Sequence, residues 1–164
     1  MKEICYKPIG EVKSPFKKPE GTPIQPPAAE GVEGRIELLP EFAAGLKDIE
    51  GFSHLILLYD CHLAGECSLL STPFMEDREH GVFSIRAPSR PNSIGLSIVR
   101  LIKREENTLL IKDVDLISGT PLLDIKPYVP AFDARNRDEV SIGWLEKNID
   151  KLPEKKDDGR FSST

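Results

Sequence analysis

Gly81-Val82-Phe83-Ser84-Ile85-Arg86-Ala87-Pro88-Ser89-Arg90-Pro91-Asn92-Ser93-Ile94-Gly95-Leu96-Ser97 is the stretch on which the reading of this chain turns. Gly81 to Ile85 is apolar and reads as a strand. A loop follows, and a second strand begins at Ile94. Pro88 and Pro91 fix φ and remove two backbone donors, and they push Ala87 and Arg90 toward extended geometry. The loop therefore keeps a shape that is neither helix nor sheet. Arg86 and Arg90 each carry a planar fork of donors that matches carboxylate or phosphate. Asn92 adds a donor and an acceptor on one side chain. Such a loop at a strand mouth suits an anionic or nucleotide-like ligand. The alternative is a proline-stiffened connection whose arginines are solvated.

Outward from this loop the chain reads as short strands separated by turns. Tyr6 to Val12, Gly34 to Leu39, Phe52 to Cys61, Gly81 to Ile85, Ile94 to Lys103 and Thr108 to Leu116 have strand character. Glu105-Glu106-Asn107 joins the last two as a hairpin loop. Pro40 to Leu46 suits a short helix with proline in its first turn. Glu139 to Ile149 suits one amphipathic helix, with Ile142, Leu145 and Ile149 on one face and Asp138 as its cap. Lys13 to Glu30 is a loop containing an extended Pro23 to Pro27. Ile117 to Asp133 also reads as loop. These elements predict a mainly β fold, a small β-barrel with one or two short helices and long functional loops. One domain is expected over residues 1–150, with a polar, frayed tail over 151–164 and no second domain.

The 164 residues include 14 prolines and 12 glycines, which favour turns over long helices. No apolar run approaches bilayer length, and no signal-peptide core stands at the N-terminus, so a cytoplasmic protein without membrane contact is expected. Cys5, Cys61 and Cys67 lack C-x-x-C spacing, which argues against a disulfide framework or a zinc knuckle. The net charge of −5 argues against a generally basic nucleic-acid binder. Locally the balance differs: Ser84 to Arg104 holds five basic residues (Arg86, Arg90, Arg100, Lys103, Arg104) and no acid. Neither G-x-G-x-x-G after a strand, nor a P-loop, nor G-x-S-x-G is present.

His54 and His62 flank one strand. They stand roughly 26 Å apart if it is extended, so they do not share a metal or a base. His54 reads as a hydrogen-bonded strand-end residue, and His62 as the better site residue. Asp113 and Asp115 alternate on a strand and would share a face, with Asp60 and Asp124 in reserve; a solvated strand face is the favoured reading, so no metal is assigned. Asp124 to Pro130 pairs a charged couple with Tyr128, which can stack on a base while Lys126 meets a phosphate.

Five ordered segments resemble the TsaA-like (TrmO) family. They are I-G-E-V-K-S-P-F (Ile9 to Phe16), P-I-Q-P (Pro23 to Pro26), G-L-K-D-I-E-G-F-S-H-L (Gly45 to Leu55), the arginine loop with its strands, and S-G-T-P-L-L-D-I-K-P-Y-V-P (Ser118 to Pro130). The resemblance implies a dimeric β-barrel enzyme that uses S-adenosylmethionine to methylate N6 of threonylcarbamoyladenosine beside the anticodon of tRNA. Carried over by position, the cofactor contacts would be Pro23, Ile24, Gln25, His62, Leu63, Arg86, Leu96 and the turn Ser118-Gly119-Thr120-Pro121. Arg90, Asn92 and Asp124 would orient groups or balance charge, and Lys126 and Tyr128 would touch RNA. Ile24 stands where the family usually has arginine, and Ser118 where it has aspartate. Many bacterial members also carry a further C-terminal domain. A non-catalytic module that binds S-adenosylmethionine or a nucleotide is the alternative.

Overall fold

The structure is a computed structural model that describes residues 2–136 and 139–163. Six of its eight strands close into an all-antiparallel barrel, in the order β1-β2-β7-β6-β3-β8. These are β1 (Gly10–Lys13), β2 (Glu33–Leu38), β3 (His54–Asp60), β6 (Ile94–Glu105), β7 (Thr108–Lys112) and β8 (Thr120–Pro127). The other two, β4 (Leu70–Ser71) and β5 (His80–Gly81), form a small separate ladder. The expected mainly β barrel is therefore what the chain forms. Period-2 alternation sends one side of each strand inward. Val12, Ile36, Leu55, Leu57, Val99, Leu109 and Leu122 are wholly buried there, with Leu38, Leu46, Ile111, Val114 and Leu116 beside them. Each such side chain contributes roughly 1.5–3 kcal/mol on burial.

Four expectations are corrected. Ile117 to Asp133 is not loop-rich, because Thr120–Pro127 is a central barrel strand. Its two prolines masked it. Pro121 sits where β8 pairs only with β1, opposite Glu11, and Pro127 sits where it pairs only with β3, opposite Leu55. Neither proline is asked for a ladder bond on both sides, which is where a sheet tolerates proline. Gly81 to Ile85 is not a strand beyond Gly81: Val82–Ser84 is a 3-10 turn, and Val82 and Ile85, three apart, are its buried residues. Glu139 to Ile149 is not one helix. Gly143, at φ +57, opens a 3-10 turn over Gly143–Lys147, and a second runs over Ile149–Glu154. The proposed cap, Asp138, lies outside the described residues.

The fourth correction concerns the tail, which is docked rather than frayed. Phe161 is 6% exposed and packs with Ile85, Ala87 and Phe74 in a second small core, its ring edge-on to Phe74 at 5.1 Å. Pro40–Leu46 is a 3-10 helix, and α1 (Pro130–Asp133) is a single turn. Among the described residues no helix is long and apolar enough to cross a membrane.

Candidate functional site

Antiparallel order brings the end of β3 and the starts of β6 and β8 to one rim of the barrel. A cavity of about 580 Å³ opens there, within the usual range for small-molecule sites. Its walls come from four segments distant in sequence: Pro19 to Gln25, Cys61 to Ala64, the arginine loop from Arg86 to Asn92, and the tail through Asp157 and Ser162. Its floor is formed by Tyr59, Gly95, Asp115, Leu116 and Thr120. Phe83, Ile94 and Leu96 bring apolar surface to the same opening.

The arginine loop holds itself. Arg90 donates through Nη1 to the carbonyls of Ile85 (3.2 Å) and Ala87 (3.4 Å), its own neighbours. Ser89 is buried and donates through Oγ to the Phe161 carbonyl at 2.7 Å. Arg86 reaches across the opening instead and donates through Nη1 to Gln25 Oε1 at 2.8 Å. The two arginines thus divide the work: one fixes the loop, and the other ties it to the opposite wall and keeps donors toward the cavity.

Eight of the eleven expected cofactor positions line this one cavity: Pro23, Ile24, Gln25, His62, Leu63, Arg86, Leu96 and Thr120. Of the turn, Thr120 alone faces it. Gly119, at φ +91, donates its N–H to Val12 and serves the turn, and Ser118 opens on a different, smaller cavity with Lys13 and Arg35. Pro121 is spent in the β1–β8 ladder. Arg90 and Asn92 line the 580 Å³ cavity as well. Asp124, Lys126 and Tyr128 do not: Asp124 and Lys126 pair with each other at 2.7 Å, and Tyr128 stands edge-on to His54. His54 is a strand-end residue with Nδ1 2.9 Å from Ser53 Oγ.

The basic run from Ser84 to Arg104 is not a free basic face. Arg100 meets Asp113 at 3.1 Å, Lys103 meets Glu105, and Arg104 meets Glu50 at 3.4 Å. Asp113 and Asp115 do not share a strand face either. The β7 strand ends at Lys112, Asp113 turns at φ +66 and accepts from the Gly31 N–H, and Asp115 points into the barrel end. Among the described residues no three of the histidines, cysteines, aspartates and glutamates stand together as metal ligands would.

The site residue that sequence reading undervalued is Asp115. It is 9% exposed and accepts from Ser97 Oγ at 2.7 Å, and Ser97 Oγ lies 3.0 Å from the Tyr59 hydroxyl. Burial pushes the Asp115 carboxyl up to about 7, against the pull of the Ser97 hydrogen bond and the Arg86 charge. Burial, with Asp115 next, likewise raises Tyr59 well above its ordinary value. Cys61 is raised to about 12, chiefly by burial, so its thiol stays protonated and is no nucleophile. The available signal for Asp115 was an aspartate between two apolar residues, Val114 and Leu116, facing a serine in an apolar strand.

A barrel with a ligand-sized, loop-walled cavity at one rim, floored by a buried carboxylic acid and crossed by a guanidinium, is a binding or catalytic fold for a small polar ligand. A family model described as tRNA-methyltransferase O N-terminal domain matches residues 11–134, and the chain belongs to that family. It is 59% identical over 160 residues to a probable S-adenosyl-L-methionine-binding protein of Pyrococcus abyssi, covering 98% of this chain and 86% of that one. It is 37% identical over 140 residues to the human tRNA (adenine(37)-N6)-methyltransferase, covering 80% of this chain and 31% of the human protein. The crystal structure of TrmO from Pseudomonas aeruginosa superposes with a TM-score of 0.73 at 38% identity, covering 87% of this chain and 63% of that one.

Proposed function

We propose that this chain is an S-adenosylmethionine-dependent methyltransferase acting on N6 of an adenine in tRNA, and that its target is the threonylcarbamoyladenosine beside the anticodon. The observation that carries the reading is the convergence of Pro23, Ile24, Gln25, His62, Leu63, Arg86, Leu96 and Thr120 on one cavity. The names of the relatives support the cofactor and the reaction. The cavity suits the ligand: apolar walls for its nucleoside, Arg86 for a carboxylate, and carboxyl groups at Asp115 and Asp157 for its cationic centres.

When bound, S-adenosylmethionine would supply a sulfonium methyl group for transfer to N6. The protein's share is to hold donor and acceptor about 3–3.5 Å apart and to receive the N6 proton. Asp115 is assigned that proton, because its proton affinity lies near neutrality and Ser97 fixes its orientation. Arg90 keeps the loop in place, and Asn92 at the cavity edge orients the acceptor. Asp124 is too engaged with Lys126 for either task. Lys126 and Tyr128 remain RNA contacts outside the cavity.

A second reading, capture of S-adenosylmethionine without transfer, is favoured by an Archaeoglobus fulgidus relative, 42% identical over 134 residues and named simply as an S-adenosyl-L-methionine-binding protein. Transfer of labelled methyl from S-adenosylmethionine to tRNA separates the two. Label is expected in tRNA that carries threonylcarbamoyladenosine and none in tRNA that lacks it; Arg86→Ala should weaken cofactor binding about tenfold and lower transfer at limiting cofactor to match. Binding without transfer would establish the second reading.

The protein is further proposed to act in the cytoplasm as a homodimer. Phe83, Ile94 and Leu96 are 77%, 44% and 45% exposed at the cavity opening, more apolar surface than a solvated rim needs. Light scattering at micromolar protein should return twice the 18.3 kDa chain mass, and a monomer mass would refute it.

A further inference from the structure

The tail lies beyond the residues that the family model matches, yet it is bonded to three of the cavity's walls. Gly21 donates to the Asp157 carbonyl and Asp157 donates to the Thr22 carbonyl, at 2.8 and 2.9 Å. Lys156 bridges to Pro23, and Ser162 to Ala64. Gly65 donates to the Phe161 carbonyl (2.8 Å) and Ser163 to the Leu63 carbonyl (3.0 Å). Ser89 in the arginine loop donates to the same Phe161 carbonyl. The tail is therefore bonded to the three loops that carry Pro23, Ile24, Gln25, His62, Leu63 and Arg86.

Its charges are arranged unevenly. Arg160 is occupied by both carboxylate oxygens of Asp158, with Nε at 2.9 and 3.0 Å, and lies over the Phe74 ring at 5.2 Å. Asp157, on the cavity side, accepts the Gly159 N–H on its Oδ1 at 2.7 Å; the neighbouring Asp158 and Glu20 add like charge, which Arg160, already held by Asp158, offsets only in part. A half-buried carboxylate that makes no salt bridge among the described residues, set in a cavity wall, is suited to a cationic ligand group.

Resting on the cofactor reading above, we infer that residues 155–163 form the fourth wall of the cofactor site, with Asp157 receiving the α-ammonium of the ligand's amino-acid portion. Phe161 is the anchor that holds this wall against the arginine loop. Asp157 therefore selects for ligands that carry the ammonium, and Phe161 sets the spacing of the other walls.

Two full-length variants and two ligands test this. Asp157→Asn should weaken S-adenosylmethionine binding in calorimetry by about fivefold to tenfold. The same variant should leave 5′-methylthioadenosine, which lacks the amino-acid portion, unchanged. Equal weakening of both, or of neither, would overturn the role of Asp157. Phe161→Ala, outside the barrel core, should weaken both ligands and speed amide exchange at Gly21, Gly65 and Ser163. Unchanged exchange at those amides would overturn the wall. If the parent chain bound neither ligand, the cofactor reading itself would fall, and the exchange result would still judge the docking of the tail.

Discussion

Asp115→Asn should give a protein that is more stable than the parent at pH 8 and almost inactive. In the folded chain burial holds the Asp115 carboxyl near 7, against about 4 in the unfolded chain. The folded state thus binds the extra proton between those values, and stability falls as pH rises from about 4 to about 7. Above 7 the whole penalty of an ionised buried acid is present, and below 4 it is absent. Asparagine keeps the oxygen that accepts from Ser97 and carries no charge at any pH. A gain of up to about 4 kcal/mol, or roughly 8–16 °C in melting temperature, is expected at pH 8, fading to nothing near pH 4. Methyl transfer should fall by about a hundredfold or more, since asparagine takes up no proton. The parent's rate should rise with pH through about 7. A melting difference that is the same at pH 4 and pH 8 would show that Asp115 is not a strained acid. An active asparagine variant would remove it from the proton path.

Gly95→Ala should damage the site from the opposite side of the same hydrogen-bonded group. Gly95 faces Tyr59 across the β3–β6 ladder, and the Tyr59 ring lies over the place where a side chain would be. A Cβ at 95 would overlap the ring at several of its atoms. Either the ring leaves Ser97 and swings into the cavity, or the ladder gives way. Overpacking of this kind costs about 1–3 kcal/mol, or some 3–10 °C in melting temperature, and ligand binding should fall with it. A variant that melts with the parent and binds the cofactor normally would show that the close approach is not required.

How much of this was legible depends on which signal each element carries. The barrel was legible because Leu55, Leu57, Val99, Leu109 and Ile111 sit at strand spacing in apolar surroundings. The β8 strand was not, because Thr-Pro and Lys-Pro look like turn chemistry unless one knows that each proline meets only one neighbouring strand. The apolar spacing from Glu139 to Ile149 fits a helix, but Gly143 in the left-handed region opens a 3-10 turn that ends at Lys147, and the chain restarts as a second 3-10 turn after Asn148. In the site, Arg86, Arg90 and His62 stood out by type and position. Asp115 and Asp157 did not, because their importance comes from burial and from chain segments that meet only in three dimensions. A polar tail reads as solvent-exposed unless its single aromatic, Phe161, is seen to have a slot waiting beside Ile85 and Ala87.

The self-bracing of Arg90 bears on how fast a ligand can be captured. Its guanidinium is hydrogen-bonded to two carbonyls of its own loop, so the loop is already ordered when the cavity is empty. The entropy of fixing seven residues, Arg86 to Asn92, is then charged to folding and not to association. Encounter is left to the Arg86 arm and the outer walls, which favours association closer to the diffusional range than a loop that must fold around its ligand would permit.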